Sequence, residues 1–210
     1  MRKIFLLAAF SITSLSSFAQ KAKKQANTKP AAVVPGNEVT NEINAREIAM
    51  REQSRMSPEH RLMMENAGHW REEVKIWAIP GQGDPSVYIV DRSSMVKAEG
   101  RFLVSEMRGM MNNQPYEAQS VLGYDNTKRM FVKTWFDNFG TSILVLEGSF
   151  DEKTKTIDFR GTALDPISRN PVKIHQVLKM SEPTTQTLEI FVENKEGREV
   201  KSMEIKSSRG

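Results

Sequence analysis

Turn signals punctuate the second half of this chain at a nearly constant interval, and that interval limits the folds open to it. They fall at Glu99-Gly100, Asn112-Asn113, Asp125-Asn126, Phe139-Gly140, Lys153-Thr154, Asp165-Pro166 through Asn170-Pro171, Pro183-Thr184 and Glu196-Gly197. The spacing is roughly 13 to 15 residues, and the runs between are rich in Val, Ile, Phe, Tyr, Trp and Thr, the pattern of antiparallel strands joined by short hairpins. A meander of this length tends to close, because closure removes the unpaired edges. The expected fold class is all-β: an antiparallel up-and-down β-barrel of about ten strands with a short N-terminal helix.

The first residues read differently. Arg2 and Lys3 precede a mostly apolar run from Ile4 to Leu15, and Ser17-Phe18-Ala19 offers small residues where a signal peptidase reads. Residues 1–19 are expected to be a signal peptide cleaved before Gln20, which places the mature protein in the periplasm or outside the cell. The run is too short to span a bilayer, and no later segment approaches the length a spanning helix needs. The chain has no Cys, which excludes disulfides, thiolate metal sites and a cysteine nucleophile. The net charge of +4 falls to +2 without Arg2 and Lys3, and Lys21, Lys23, Lys24 and Lys29 cluster just after the leader. The basic character therefore belongs to the leader and tail, and no Lys/Arg stripe with interleaved aromatics marks a nucleic-acid surface.

Residues 20–56 are expected to be a disordered linker, rich in Lys, Ala, Asn and Pro to Gly36, followed by a loosely attached polar helix. Residues 57–210 form the barrel domain. It opens with Ser57-Pro58-Glu59, a helix cap, a first-turn proline and an acid that complements the helix dipole, and the helix stops at Gly68. Strands are expected near Trp70–Ala78, Val87–Ala98, Arg101–Met107, Tyr116–Tyr124, Arg129–Asp137, Ser142–Phe150, Thr156–Leu164, Val172–Met180, Thr187–Glu193 and Glu199–Ser207. Met107-Arg108-Gly109-Met110-Met111 reads as a Met-rich loop, either gating a barrel mouth or folded in as core.

Ser57-Pro58-Glu59-His60, Gly68-His69-Trp70, Gly100-Arg101-Phe102-Leu103, Leu122-Gly123-Tyr124-Asp125-Asn126, Thr134-Trp135-Phe136-Asp137, Glu147-Gly148 and Met203-Glu204-Ile205 with Arg209 together resemble an uncharacterised bacterial family, domain of unknown function 1579. More broadly the chain is similar to calycin barrels: lipocalins, fatty-acid-binding proteins and nitrobindin-like proteins. The resemblance spans Ser57 to Arg209 and implies a barrel, with no activity attached. It implies that Trp70 plugs one barrel end with Arg209 stacked over it. It departs from the family at His175, where a typical member has Arg.

No residue set forms a nucleophile, base and orienter, and neither a Gly-x-Ser-x-Gly turn nor a P-loop or dinucleotide fingerprint is present. His60, His69 and His175 lack metal-ligand spacing, so no metal and no cofactor are expected; His60 and His69 read as surface residues. Asp137, Glu147 and Glu204 interrupt apolar strands and must be paired or hydrated, as ion pairs on the outer wall or as a polar spot inside. Alternation places Phe131, Lys133 and Trp135 on one face and Val132, Thr134 and Phe136 on the other. Trp135, Tyr124 and Arg101 are expected to face the lumen or its mouth, with His175 or Gln176 across from them according to register. The function these residues favour is binding of a small, largely apolar ligand such as a lipid fragment or a porphyrin-like compound. The alternatives are a filled barrel serving as a structural or partner-binding envelope protein, and an enzyme using carboxylates such as Glu147 or Asp137.

Overall fold

The computed structural model describes residues 36–165 and 168–210; the leader and nearly all of the linker lie outside the described residues. The chain divides into two units, residues 1–42 and 43–210. Within the first, the described residues are the opening turns of helix α1 (Gly36–Ser54), a helix with apolar residues too sparse to make a buried face. None of the described helices is long and apolar enough to cross a membrane.

The second unit carries the end of α1, helix α2 (Pro58–Glu65) and, among the described residues, ten strands. These are β1 (Gly68–Ile76), β2 (Ser86–Lys97), β3 (Phe102–Met111), β4 (Gln114–Asp125), β5 (Met130–Asp137), β6 (Leu144–Asp151), β7 (Thr156–Leu164), β8 (Pro171–Glu182), β9 (Thr185–Glu193) and β10 (Glu199–Arg209). Each pairs antiparallel with the next, and β1 pairs with β10 to close the barrel. The seam runs from Trp70 opposite Arg209 to Ile76 opposite Met203. The expected all-β up-and-down barrel is the observed fold. The Met-rich segment is strand rather than loop: the β3–β4 turn is Asn112-Asn113 alone, both at positive φ (51° and 61°), the conformation of a type I′ hairpin. Met107 and Met111 point into the core and Met110 points out.

Helix α2 covers the end of the barrel where β1 begins. Ser57 caps it, and the Ser57 N–H donates to His60 Nδ1 at 3.1 Å, so an imidazole takes the role of the usual Glu in a capping box. His60 is thus buried, contrary to the surface position expected from sequence; its ring meets Tyr124 edge-on at 5.8 Å. His60 and Met63, three residues apart, share the buried face of α2. Burial holds the His60 pKa below the ordinary histidine value. Trp70 sits just beneath α2, with Nε1 donating to the Asn66 carbonyl at 3.2 Å. Its ring lies between two guanidinium groups, Arg209 at 4.7 Å and Arg92 at 5.0 Å, each contact contributing about 1 kcal/mol. Asn126 Nδ2, in the β4–β5 hairpin, donates to the carbonyls of Gln53 and Arg55 at 2.9 and 2.7 Å and so caps the end of α1 from outside the helix.

The interior holds two apolar clusters. One, under α2, is built on Met63, Leu103, Phe131, Leu146, Ile157 and Phe159. The other, toward the far end, is built on Val74, Val90, Met107, Met111, Tyr116 and Ile205. Phe131 and Phe159 are fully buried and need room, which glycines supply: a Cβ on Gly148 would meet the Asp158 carbonyl oxygen at 2.5 Å and the Phe159 ring at 2.7 Å. Gly148→Ala should therefore lower stability by about 1–3 kcal/mol through overpacking. Gly140→Ala, with open space at its Cβ, should stay within about 0.5 kcal/mol of the native chain. Urea unfolding of the two variants checks this, and equal midpoints would refute it.

Candidate functional site

A belt of polar side chains separates the two apolar clusters. On three neighbouring strands the inward face reads apolar, polar, apolar: Leu103, Ser105, Met107 on β3; Leu122, Ser120, Ala118 on β4; Phe131, Lys133, Trp135 on β5. Register continues the belt to Gln176 on β8, Gln186 on β9, Ser207 on β10, Glu72 on β1, and Arg92 and Ser94 on β2. Arg92 is fully engaged. Its Nε donates to Glu72 Oε1 at 2.6 Å, Nη1 to Ser94 at 2.9 Å and Nη2 to Gln186 at 3.1 Å. Ser207 donates a further bond to Glu72 at 2.9 Å, and Gln186 reaches Asn66 at the end of α2. Glu72 is 4% exposed, so this pair survives burial because each member is matched in charge and hydrogen-bonded again by neutral groups.

Lys133 is held differently. Its ammonium donates to the neutral Gln176 Oε1 at 2.9 Å and lies 5.7 Å from the centroids of both Trp135 and Phe159. No carboxylate pairs with it among the described residues. Burial, and secondarily the positive Arg92, push its pKa down from 10.5 to about 8, against a smaller opposing pull from Glu72.

Two adjoining cavities flank this belt. The upper, about 80 Å³, is lined by Met63, Leu103, Phe131, Lys133, Trp135 and Phe159 among others. The lower, about 160 Å³, is lined by Val74, Tyr88, Met111, Tyr116, Trp135 and Met203 among others and reaches the end of the barrel opposite α2. Glu72, Met107, Trp135 and Ile205 belong to both walls, so the two are compartments of one lumen. At the lower rim Asp137 accepts from Trp135 Nε1 at 3.2 Å, and Phe139 packs against Tyr116 with ring centroids 5.4 Å apart and planes tilted by 50°. Burial raises the Tyr116 pKa, so its phenol stays neutral.

Of the residues that sequence places at the lumen, Trp135 lines both compartments and Gln176 is buried against Lys133. Tyr124 points inward but packs on Phe131 and His60 at the α2 end, away from either cavity. Arg101 does not reach the lumen. It precedes β3 in the short turn Ala98–Gly100 and Arg101, and its guanidinium donates to the Ser54 and Ala98 carbonyls at 2.9 and 3.2 Å. His175 also turns away, because its neighbour Gln176 takes the inward position and alternation sends the next side chain out. On the outer wall it lies between Asp158 (2.9 Å) and Glu199 (2.8 Å). Glu147 pairs with Lys128, and Glu204 with Lys75, Lys201 and Lys206, all on the outer wall. Among the described residues no cluster of three or more His, Asp or Glu side chains could hold a metal.

Sequence does not single out Glu72 or Arg92, and it places Lys133 on the face of Trp135 without making it a site residue. The available signal was a lone polar residue at the middle position of an otherwise apolar inward face, as in Phe131-x-Lys133-x-Trp135 and Trp70-x-Glu72-x-Val74. If Lys133 is a strained cation, ligand-free Lys133→Met should be more stable than the native chain at pH 7 by about 2 kcal/mol, the relieved desolvation exceeding the lost bond to Gln176. A base with a depressed folded pKa binds fewer protons than the unfolded chain between about pH 8 and 10.5, so native stability gains over that window. The advantage of Lys133→Met should shrink as pH rises through it; urea unfolding of both proteins at pH 7 and pH 10 measures this, and a constant gap would count against it.

The family model described as "Protein of unknown function (DUF1579)" matches residues 55–209. No curated protein matches the chain. Among solved structures, the S-type phycobiliprotein lyase CPES from Guillardia theta is 13% identical with a TM-score of 0.52, covering 76% of this chain and 96% of that one. A redesigned beta barrel is 10% identical with a TM-score of 0.37, covering 70% and 94%. A protein of unknown function from the DUF3598 family of Nostoc punctiforme is 6% identical with a TM-score of 0.22, covering 74% and 100%.

Proposed function

The chain belongs to the DUF1579 family, and from the lumen that its barrel encloses we propose that it binds a small, largely apolar ligand there after export to the periplasm or the cell exterior. The observation that carries this reading is the lumen itself: two adjoining, mostly apolar compartments with a few convergent polar groups, the composition of small-molecule sites. A filled barrel would leave no such space. The size narrows the ligand. An apolar cavity of about 150 Å³ accepts a benzene molecule, and the lower compartment, at about 160 Å³, is of that order. A single ring or a short hydrocarbon chain fits; a porphyrin-sized ring exceeds both compartments together, so the first class is favoured over the second. The likeness to the phycobiliprotein lyase supports the barrel fold and carries no ligand across at 13% identity.

Export rests on the leader, whose basic start, apolar run and small residues before Gln20 match a cleavable signal peptide. N-terminal sequencing of the protein from its own cells should read from Gln20, and a mature chain retaining Met1 would refute cleavage. For ligand binding, Trp135 is the reporter because it lines both compartments, whereas Trp70 is enclosed between two arginines. A bound short-chain or single-ring compound should shift or quench tryptophan emission in the native chain. The change should largely vanish in Trp135→Phe with Trp70 and Trp77 intact. A signal that survives that substitution unchanged would place the ligand outside this lumen.

A further inference from the structure

The polar belt leaves one charge unanswered. The charged side chains lining the upper compartment are Glu72, Arg92 and Lys133. Glu72 and Arg92 neutralise each other across β1 and β2 at 2.6 Å, and every donor-bearing arm of Arg92 is taken by Glu72, Ser94 or Gln186. Lys133 is left with a neutral partner, the Gln176 amide on β8, inside a wall of Trp135, Phe159 and Phe131. The other elements facing it bring no acid: β4 presents Ser120 and Leu122, β6 presents Leu144 and Leu146, and α2 presents Leu62 and Met63. Asp137, on the same strand, is four residues away, so its Cα lies about 13 Å along β5, and it is engaged by the Trp135 indole at the lower rim.

We propose that the ligand is a monocarboxylic acid, its apolar body in the lower compartment and its carboxylate on the Lys133 ammonium in the upper one. This deepens the binding function proposed above and rests on it. Charge chooses the head group. The compartment carries a surplus of one positive charge, which a carboxylate cancels, whereas a phosphate monoester brings roughly 1.5 to 2 negative charges and would leave a buried anion unmatched. A neutral alcohol would leave the ammonium without a counter-charge. The lysine is still protonated at neutral pH, since its pKa of about 8 lies above 7, so the site is an ion partner there and not a free amine. Ser120, which lines the same compartment, offers a hydroxyl as a second donor to the carboxylate.

The probes are hexanoate, octanoate and decanoate, each titrated against the straight-chain alcohol of the same length, with tryptophan emission or calorimetry as the readout. At pH 7 the acid of the best-fitting length should bind at least about tenfold more tightly than its alcohol, the scale of one well-placed charge-assisted bond. Because the carboxylate needs the protonated lysine, acid affinity should fall by up to about tenfold per pH unit above pH 8, while alcohol affinity stays level. In Lys133→Met the acid preference should disappear and alcohol binding should persist. Should that variant not fold, Lys133→Gln replaces it, and the pH profile of the native chain decides on its own. Equal binding of acid and alcohol at pH 7, or an acid preference unchanged from pH 7 to pH 10, overturns the carboxylate assignment while leaving a small-ligand barrel in place. If neither acids nor alcohols of any length bind, the carboxylate assignment falls, and a tryptophan titration with single-ring compounds decides separately whether the barrel binds a small ligand.

Discussion

Everything in this molecule depends on β1 finding β10. Sequential hairpins form between neighbours, but the seam from Trp70–Arg209 to Ile76–Met203 joins the two ends of the domain, and without it two strands would present open edges. Closing so long a loop carries an entropic cost that the local hairpins do not. The contacts that repay it are concentrated at the α2 end. Trp70 lies between Arg92 of β2 and Arg209 of β10, hydrogen-bonds α2 through Asn66, and Arg209 in turn donates to the Glu65 carbonyl at 2.6 Å. One aromatic ring thereby joins the first strand, the second, the last and the covering helix, so the closed ring of strands and its lid are secured together.

The interior shows a different economy. Ten strands enclose more room than eight, yet Phe131, Phe159, Leu146, Ile157 and Met63 take up much of the space under α2. The void that remains lies on both sides of the polar belt, the smaller part toward α2 and the larger within the lower cluster. An interior built only for stability would have replaced Glu72, Arg92 and Lys133 with apolar side chains, since burying ion pairs rarely stabilises more than good packing does. Lys133 is the clearest case: among the described residues its buried ammonium has no carboxylate partner, only the neutral Gln176 amide and the rings of Trp135 and Phe159. Local conflicts of this kind mark functional positions more often than folding ones.

The outer wall keeps its charges in conventional pairs. Lys201 of β10 pairs with Glu189 of the neighbouring β9 and with Glu204 of its own strand, Arg160 of β7 pairs with Asp158 beside it and with Glu199 at the start of β10, and Lys128 of the β4–β5 turn pairs with Glu147 of β6. Exposed pairs of this type contribute little to stability individually. Alternation accounts for Glu147: it shares the outward face of β6 with the exposed Val145, while Leu144 and Leu146 face the interior.

The amino-acid sequence determined the strand count, the hairpin positions and the alternation of each strand, because turn chemistry and the period of two are local properties. It placed Trp135 and Lys133 on one face for the same reason, and the family resemblance pointed to Arg209 over Trp70. It left His175 and Gln176 as alternatives, since period two fixes only that they face opposite ways, not which one faces in. Arg101 and His60 were misplaced because their positions depend on α1 and α2 packing at the barrel end, contacts that no strand period encodes. The convergence of Glu72, Arg92, Lys133, Gln176 and Gln186 was decided by tertiary structure alone. These residues come from five strands spread over most of the domain, and only the register of a closed barrel brings them to one level.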